Sequence, residues 1–111
     1  MKLESIALHY GYNSDENDQK SATTPIYQTS GFTIDSTQHG ADLFDLKIEG
    51  NIYSRIGNPT NTVLEKRLAE MEGGIAALSL ASGMSAITYA IQTITRSGDN
   101  IVSTNQLYGG T

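Results

Sequence analysis

Residues 76–104 restrict the fold of this chain more than any other stretch. Residues 76–81 are a short apolar run that suits a buried strand, and a turn follows at residues 82–85. Apolar residues then recur at the spacing of a helix face as far as Ile94, and residues 101–104 suit a second strand. Strand, turn, helix and strand in this order are the unit of a parallel α/β sheet. Two strands do not make a stable sheet, so we expect the chain to be the beginning of a larger fold.

Residues 58–74 carry a clear helix signal. Asn58 is a favoured cap with proline directly after it, and two glycines at 73–74 end the pattern. Three apolar side chains share one helical spacing and predict the buried face: Leu64, Leu68 and Met71. The charged side chains between them form a solvated face to which we assign no function.

The first fifty residues contain scattered apolar side chains and no continuous amphipathic face. Residues 24–29 suit an extended segment, His39 and Gly40 suit a turn, and residues 41–46 suit one helical turn. Such a segment cannot bury a core of its own, yet it is too apolar for disorder. We therefore expect an arm laid over another surface, either within the chain or on a second subunit.

Composition excludes several classes of function. The chain has 7 basic and 12 acidic residues, the opposite of the balance expected for a partner of nucleic acid. It has no cysteine, which excludes disulfides, thiolate metal sites and a cysteine nucleophile. No apolar run approaches the roughly 20 residues that span a membrane, and the start lacks the layout of a signal peptide. We expect a cytoplasmic enzyme, or part of one, with no metal and no membrane partner.

Tyr53 and Arg55 form the first candidate ligand site. In an extended segment, side chains two residues apart point to the same side, so both can reach one target. A phenolic donor beside a permanent cation suits a phosphate. On these two residues alone, a half-packed aromatic and a surface ion pair are the commoner arrangement.

Two further candidates lie where the predicted strands end, which is where ligands collect in open α/β sheets. Gly83 and Met84 begin a helix, and the free amides of a helix start bind anions, although a glycine here can also simply permit the turn. Tyr108 lies beside glycines, where its ring can stack on a planar ligand and its hydroxyl can act as an acid or base. An ordinary loop tyrosine is the alternative. Together the three sites suit a phosphate attached to a flat ring, the shape of pyridoxal phosphate.

Several motifs resemble those of the pyridoxal-phosphate enzymes of Cys/Met metabolism. They are T-P-I-Y-Q-T-S, Y-S-R-I-G-N-P-T, L-E-K-R-L-A-E-M-E-G-G, S-G-M and L-Y-G-G-T, in unbroken order over essentially the whole chain. Within that family, A-D-L-F-D-L-K-I-E-G-N-I-Y-S-R-I-G-N-P-T and N-I-V-S-T-N-Q-L-Y-G-G-T are most similar to the O-acetylhomoserine sulfhydrylases.

The resemblance implies a role for each candidate site residue. Residues matching Tyr53 and Arg55 bind the cofactor phosphate of the neighbouring subunit. Those matching Gly83 and Met84 give backbone N–H groups to the phosphate of their own subunit. The residue matching Tyr108 stacks on the pyridine ring and takes part in proton transfer, so Tyr108 is the expected catalytic residue.

The resemblance also implies a fold and an assembly. The fold is the type I, aminotransferase-like α/β fold with a mostly parallel sheet. Residues 1–57 would be an N-terminal arm on the partner subunit, and residues 58–111 the start of the cofactor-binding domain. The subunits would share active sites in a dimer of dimers, a homotetramer.

The implied reaction is γ-replacement in methionine biosynthesis, in which O-acetyl-L-homoserine and sulfide give homocysteine and acetate. Cystathionine γ-synthase and methionine γ-lyase have similar motifs. The lyase pattern favours a cysteine two residues after the stacking tyrosine, where this chain has Gly110.

The family's cofactor-bearing lysine, the acid facing the pyridine nitrogen and the arginine for the substrate carboxylate are expected downstream of this sequence. This chain has four lysines, and none of them matches the cofactor-bearing lysine of the family. They are Lys2, Lys20, Lys47 and Lys66. The chain is thus expected to hold half of a cofactor site. The alternative from another class is a non-catalytic fragment that only oligomerises or binds an anion.

Overall fold

The computed structural model describes residues 1–111 and is built from helices and irregular segments. In chain order the elements are α1 (Leu3–His9), a 3₁₀ turn (Ser14–Glu16), α2 (Thr37–Phe44), α3 (Pro59–Glu72) and α4 (Gly83–Ile94). Contacts divide the chain into two compact units, residues 1–77 with α1 to α3 and residues 78–111 with α4. The boundary that the sequence predicts, after residue 57, stays a prediction.

Helix α3 is closed at both ends by local hydrogen bonds, as the sequence predicts. At its start, the Asn58 side chain accepts a hydrogen bond from the Thr60 backbone N–H at 2.9 Å. At its end, Gly73 adopts φ 66°, and its N–H donates to the carbonyls of Ala69 and Glu70. The Gly74 N–H donates to Ala69 O at 2.8 Å. These bonds form a Schellman motif, which satisfies carbonyls that the helix leaves free.

Helix α1 packs on α3. Ile6 is buried, and the guanidinium of Arg67 on α3 donates to Tyr10 O at 2.7 Å and to Ala7 O at 3.3 Å. Arg67 thereby satisfies carbonyls at the end of α1, a position where a cation is favourable. A hydrogen bond to Glu70 and the charge of that carboxylate, with a smaller contribution from desolvation, raise the pKa of Tyr10. Part of the predicted arm therefore lies on a surface within the chain.

The predicted buried face of α3 is wrong. Val63 and Ala69 are buried, whereas Leu64 is 49% and Leu68 43% exposed. At 100° per residue, the predicted stripe lies on roughly the opposite side of the helix from Val63 and Ala69. The packing of this unit selects the buried side, and the more apolar stripe is left half exposed.

Helix α2 confirms the short helix predicted at residues 41–46, but the predicted turn at His39 and Gly40 is wrong. The Ser36 side chain accepts from the His39 N–H at 3.1 Å and caps a helix that contains both residues. A Cβ on Gly40 would lie 3.2 Å from Ile34 Cγ2, so this glycine serves close packing. Leu43 of α2 is the most buried apolar residue, at 3% exposure.

The two predicted strands do not form a sheet within this chain. Residues 76–81 and 101–104 carry no β-pairing, and the one bridge is an isolated antiparallel contact between Gly31 and Tyr53. Val102 is 99% exposed. A strand requires a neighbouring strand for its backbone N–H and C=O groups, and no strand forms among residues 1–111. Helix α4 forms where the sequence predicts it, but none of its residues is buried.

None of the helices combines the length and the apolar character needed to cross a membrane.

Candidate functional site

Tyr53 and Arg55 lie together on a short extended segment. The segment is held by backbone bonds from Phe32 N to Ile52 O at 3.1 Å and from Ser54 N to Ser30 O at 2.8 Å. The guanidinium carbon of Arg55 is 5.2 Å from the centre of the Tyr53 ring, and Nη2 is 3.5 Å from the phenolic oxygen. A cation over an exposed aromatic ring gains about 0.5–1 kcal/mol. The predicted pairing of these side chains is confirmed, and it keeps both donors beside each other.

The Tyr53–Arg55 pair lines an open hollow of about 510 Å³. Its other walls are residues 27–30 and Ser54, which supply hydroxyl, amide and backbone groups. No acidic side chain lines it, so nothing in the wall opposes an anion. The positive charge of Arg55 and the hydrogen-bond donors in the wall together fit a phosphate.

Asn58 has a second role that the sequence analysis missed. Besides capping α3, its Nδ2 group donates to Tyr27 O at 2.8 Å and to Ser54 Oγ at 3.0 Å. Thr60 adds a bridge, since its hydroxyl donates to Pro25 O at 3.0 Å and accepts from Tyr27 N at 2.9 Å. The cap motif signals only the local bond; the contacts about 30 residues away have no sequence signal.

Gly83 and Met84 occupy the first turn of α4, in the second unit. The Ser82 side chain accepts from the Ser85 N–H at 3.1 Å and caps the helix. The amides of Gly83 and Met84 precede the first residue that can bond within the helix, so they can serve an anion. Gly83 has no left-handed φ, and a Cβ there would meet nothing within 4 Å. The turn therefore does not require glycine, and the space beside the backbone is open.

Tyr108 lies in a turn near the start of α4. The turn is closed by a hydrogen bond from Thr111 N to Tyr108 O at 2.8 Å, and the ring is 77% exposed. The Thr111 hydroxyl contacts Met84 Sδ at 3.7 Å, so this turn and the first turn of α4 are neighbours. A Cβ on Gly110 would lie only 2.9 Å from Tyr108 Cε1. The unit thus brings the turn that carries Tyr108 next to the free amides at the start of α4, an arrangement that fits a phosphorylated planar cofactor.

No group of three or more His, Asp or Glu side chains is close enough to hold a metal ion. The two candidate groups, Tyr53 with Arg55 and Gly83 with Met84 and Tyr108, belong to different units.

Comparison with known families identifies the class of protein. The family described as Cys/Met metabolism PLP-dependent enzyme matches residues 4–111. The chain belongs to this family, whose cofactor is pyridoxal phosphate.

Several individual members of the family are similar to this chain. The chain is 54% identical over 111 residues to O-acetyl-L-homoserine sulfhydrylase 1 of Thermus thermophilus, covering 100% of this chain and 26% of that protein. It is 48% identical over 110 residues to homocysteine/cysteine synthase of Saccharomyces cerevisiae, covering 98% and 25%. It is 47% identical over 106 residues to L-methionine gamma-lyase of Pseudomonas putida, covering 95% and 26%. The chain spans about a quarter of the length of these relatives.

A solved structure has the same fold over this region. It is a Campylobacter jejuni protein described as an O-acetylhomoserine (thiol)-lyase, with N'-pyridoxyl-lysine-5'-monophosphate in its chain. The TM-score is 0.89 at 43% identity, and the match covers 99% of this chain and 27% of that one.

Proposed function

We propose that this chain is the N-terminal part of a pyridoxal-phosphate enzyme that catalyses γ-replacement on O-acetyl-L-homoserine. Sulfide forms the new C–S bond as the C–O bond to acetate breaks, and the products are homocysteine and acetate. The observation that carries the proposal is the 54% identity to a Thermus thermophilus O-acetyl-L-homoserine sulfhydrylase over the full 111 residues. The reaction would serve methionine biosynthesis in the cytoplasm.

Each candidate site residue has a role in this proposal. Tyr53 and Arg55 bind the cofactor phosphate of the partner subunit, because the pair and its acid-free hollow suit a phosphate. Gly83 and Met84 donate backbone N–H groups to the phosphate in their own subunit. Tyr108 stacks on the pyridine ring and moves a proton with its hydroxyl. The bound cofactor supplies the electron sink, and these residues supply orientation and charge.

The proposed fold and assembly follow from the same similarity. Residues 76–81 and 101–104 become strands of a mostly parallel sheet of the type I, aminotransferase-like fold once their neighbours are present. The strand-like sequences of both segments, neither of which forms a helix, support this. Residues 1–57 then act as an arm on the partner, with shared sites in a dimer of dimers.

The complete protein tests the reaction directly. We expect the purified enzyme to carry a cofactor that absorbs visible light and to convert O-acetyl-L-homoserine and sulfide to equal amounts of homocysteine and acetate. Absence of the bound cofactor, or of homocysteine at saturating sulfide, would contradict the proposal.

Methionine γ-lyase activity is a second candidate, since the Pseudomonas putida lyase is 47% identical. The structure gives one reason to place it second. A side chain at position 110 would displace the Tyr108 ring, because a Cβ there comes within 2.9 Å of Cε1. The cysteine of the lyase pattern would therefore require a different ring position. Release of methanethiol from L-methionine, measured beside the sulfide reaction, separates the two, and cystathionine formed from L-cysteine identifies a cystathionine γ-synthase.

A further inference from the structure

Ser54 lies between Tyr53 and Arg55, and both its hydroxyl and its backbone N–H form hydrogen bonds. Its hydroxyl donates to Thr29 O and accepts from Asn58 Nδ2 at 3.0 Å. Its backbone N–H donates to Ser30 O at 2.8 Å. The residue between the two ligand-facing side chains is therefore tied both to residues 29–30 and to the cap of α3.

Asn58 is the only buried polar residue in the chain, at 6% exposure. Both hydrogens of its amide are used, one on Tyr27 O at 2.8 Å and one on Ser54 Oγ. Its amide oxygen accepts from Thr60 N at 2.9 Å. A buried amide with all three of these bonds has one orientation, since any rotation would leave a buried polar group without a partner.

We propose that Asn58 and Ser54 are positioning residues that hold the Tyr53–Arg55 pair in the geometry for the cofactor phosphate. The proposal rests on the phosphate-binding role of that pair under the proposed function and adds the means by which the pair is held. Arg55 is exposed and makes no ion pair, so its own contacts do little to restrain it. Arg55 is therefore restrained mainly through the backbone at Ser54. This restraint matters because displacement of a binding group by about 1 Å is enough to weaken a site.

The first test compares two ligands on the complete apoenzyme, pyridoxal phosphate and pyridoxal without phosphate. Ser54→Ala removes the hydroxyl, and we expect the affinity for pyridoxal phosphate to fall roughly 2- to 10-fold, the equivalent of one neutral hydrogen bond. The affinity for pyridoxal should not change. Ser54→Thr keeps the hydroxyl and should restore binding of the phosphate form. Equal weakening of both ligands would indicate general loosening and overturn the proposal.

The second test asks whether Ser54 acts through Arg55. In an Arg55→Ala background, Ser54→Ala should produce a clearly smaller loss of pyridoxal phosphate affinity than in the unsubstituted enzyme, because only Tyr53 of the positioned pair remains. Additive losses would overturn the proposal while leaving the phosphate role of Arg55 intact. If Arg55→Ala does not reduce the preference for pyridoxal phosphate over pyridoxal, the phosphate role itself is wrong, and the positioning role falls with it.

Asn58→Ser provides an independent variant that keeps an oxygen able to cap α3 and removes both amide donors. We expect the same selective loss for the phosphate form. Thr62→Val is the matched control, since it deletes a hydroxyl that donates to Asn58 O at 3.1 Å but does not contact the Tyr53–Arg55 segment. It should leave both affinities unchanged. A loss with Thr62→Val equal to that with Asn58→Ser would contradict the positioning role.

Discussion

Tyr108 combines an exposed aromatic ring with a phenolic hydroxyl. Both are therefore available to a ligand, and substitution can separate them. We expect Tyr108→Phe in the complete enzyme to keep cofactor affinity nearly unchanged, because the aromatic face stays. The lost hydroxyl should lower kcat by roughly 10²–10⁴, the usual range for a positioned acid or base. Steady-state kinetics with O-acetyl-L-homoserine and sulfide measures this, and full turnover would refute the proton-transfer role.

Tyr108→Ala is the companion variant at the residue scale. It removes the ring as well, so weaker cofactor binding should accompany the loss of turnover. Aromatic pairs contribute on the order of 0.5–1.5 kcal/mol beyond area burial, so the added weakening should be modest. A cofactor titration of the apoenzyme measures it, with Tyr108→Phe as the control for the lost hydroxyl.

At the scale of the element, the C-terminus of α3 depends on the left-handed backbone conformation of one glycine. Gly73 has φ 66°, whereas Gly74 has no left-handed φ and would place a Cβ 3.6 Å from Ala69 O, an ordinary contact. A Cβ in the left-handed region costs about 1–2 kcal/mol. We expect Gly73→Ala in the complete protein to lower the free energy of opening of the last turn of α3 by this amount.

Amide hydrogen exchange at residues 70–74 measures that opening. Gly74→Ala is the matched control and should be neutral or slightly stabilising, because alanine reduces the freedom of the unfolded chain without strain. Equal effects of the two substitutions would show that the Schellman motif does not hold the helix end.

At the scale of the molecule, the 111 residues bury very little. Four apolar residues are buried, none of them fully, while 23 large hydrophobic residues are exposed: Met1, Leu3, Leu8, Tyr10, Ile26, Tyr27, Ile34, Phe44, Leu46, Ile48, Tyr53, Ile56, Leu64, Leu68, Ile75, Leu78, Ile87, Tyr89, Ile94, Ile101, Val102, Leu107 and Tyr108. Ordering the backbone costs about 1–2 kcal/mol per residue, which so small a core does not offset. We therefore expect the isolated 111-residue polypeptide to show no cooperative thermal transition by circular dichroism.

The same polypeptide should form no covalent cofactor adduct that borohydride can trap. Residues 78–111, which hold Gly83, Met84 and Tyr108, contain no lysine. Lys20 and Lys47 are exposed and paired with aspartates, at 3.1 Å to Asp15 and 2.8 Å to Asp45. A cooperative transition together with a trapped adduct, detected by mass spectrometry, would overturn both expectations.

The shared site is also a prediction at the scale of the molecule. One subunit of the complete enzyme carries Arg55→Ala, and the other lacks the cofactor-bearing lysine. If Arg55 serves the partner, a mixed dimer has one site with both the lysine and Arg55, and activity should return when the two inactive proteins are mixed. If Arg55 serves its own subunit, no site is complete and mixing restores nothing. Each variant mixed with itself is the control.

The sequence alone determined the features that depend on neighbouring residues. The hydrogen bonds that close the two ends of α3 join residues no more than five positions apart. The residue types of the cap and of the terminal glycines therefore specify these bonds directly. The pairing of Tyr53 with Arg55 follows from side-chain alternation in an extended segment, and α4 follows from its helical spacing. The family was also evident, because its motifs lie in one unbroken order.

The tertiary structure decided what depends on contacts distant in sequence. Local spacing places Leu64 and Leu68 on one stripe, but the packing of the unit buries Val63 and Ala69 on another side of α3. Residues 76–81 and 101–104 have the composition of strands, yet a strand also needs a neighbour to take its hydrogen bonds. Asn58 looks like a helix cap in the sequence, and only the folded chain brings Tyr27 to its amide, because a bond across 31 residues leaves no local pattern.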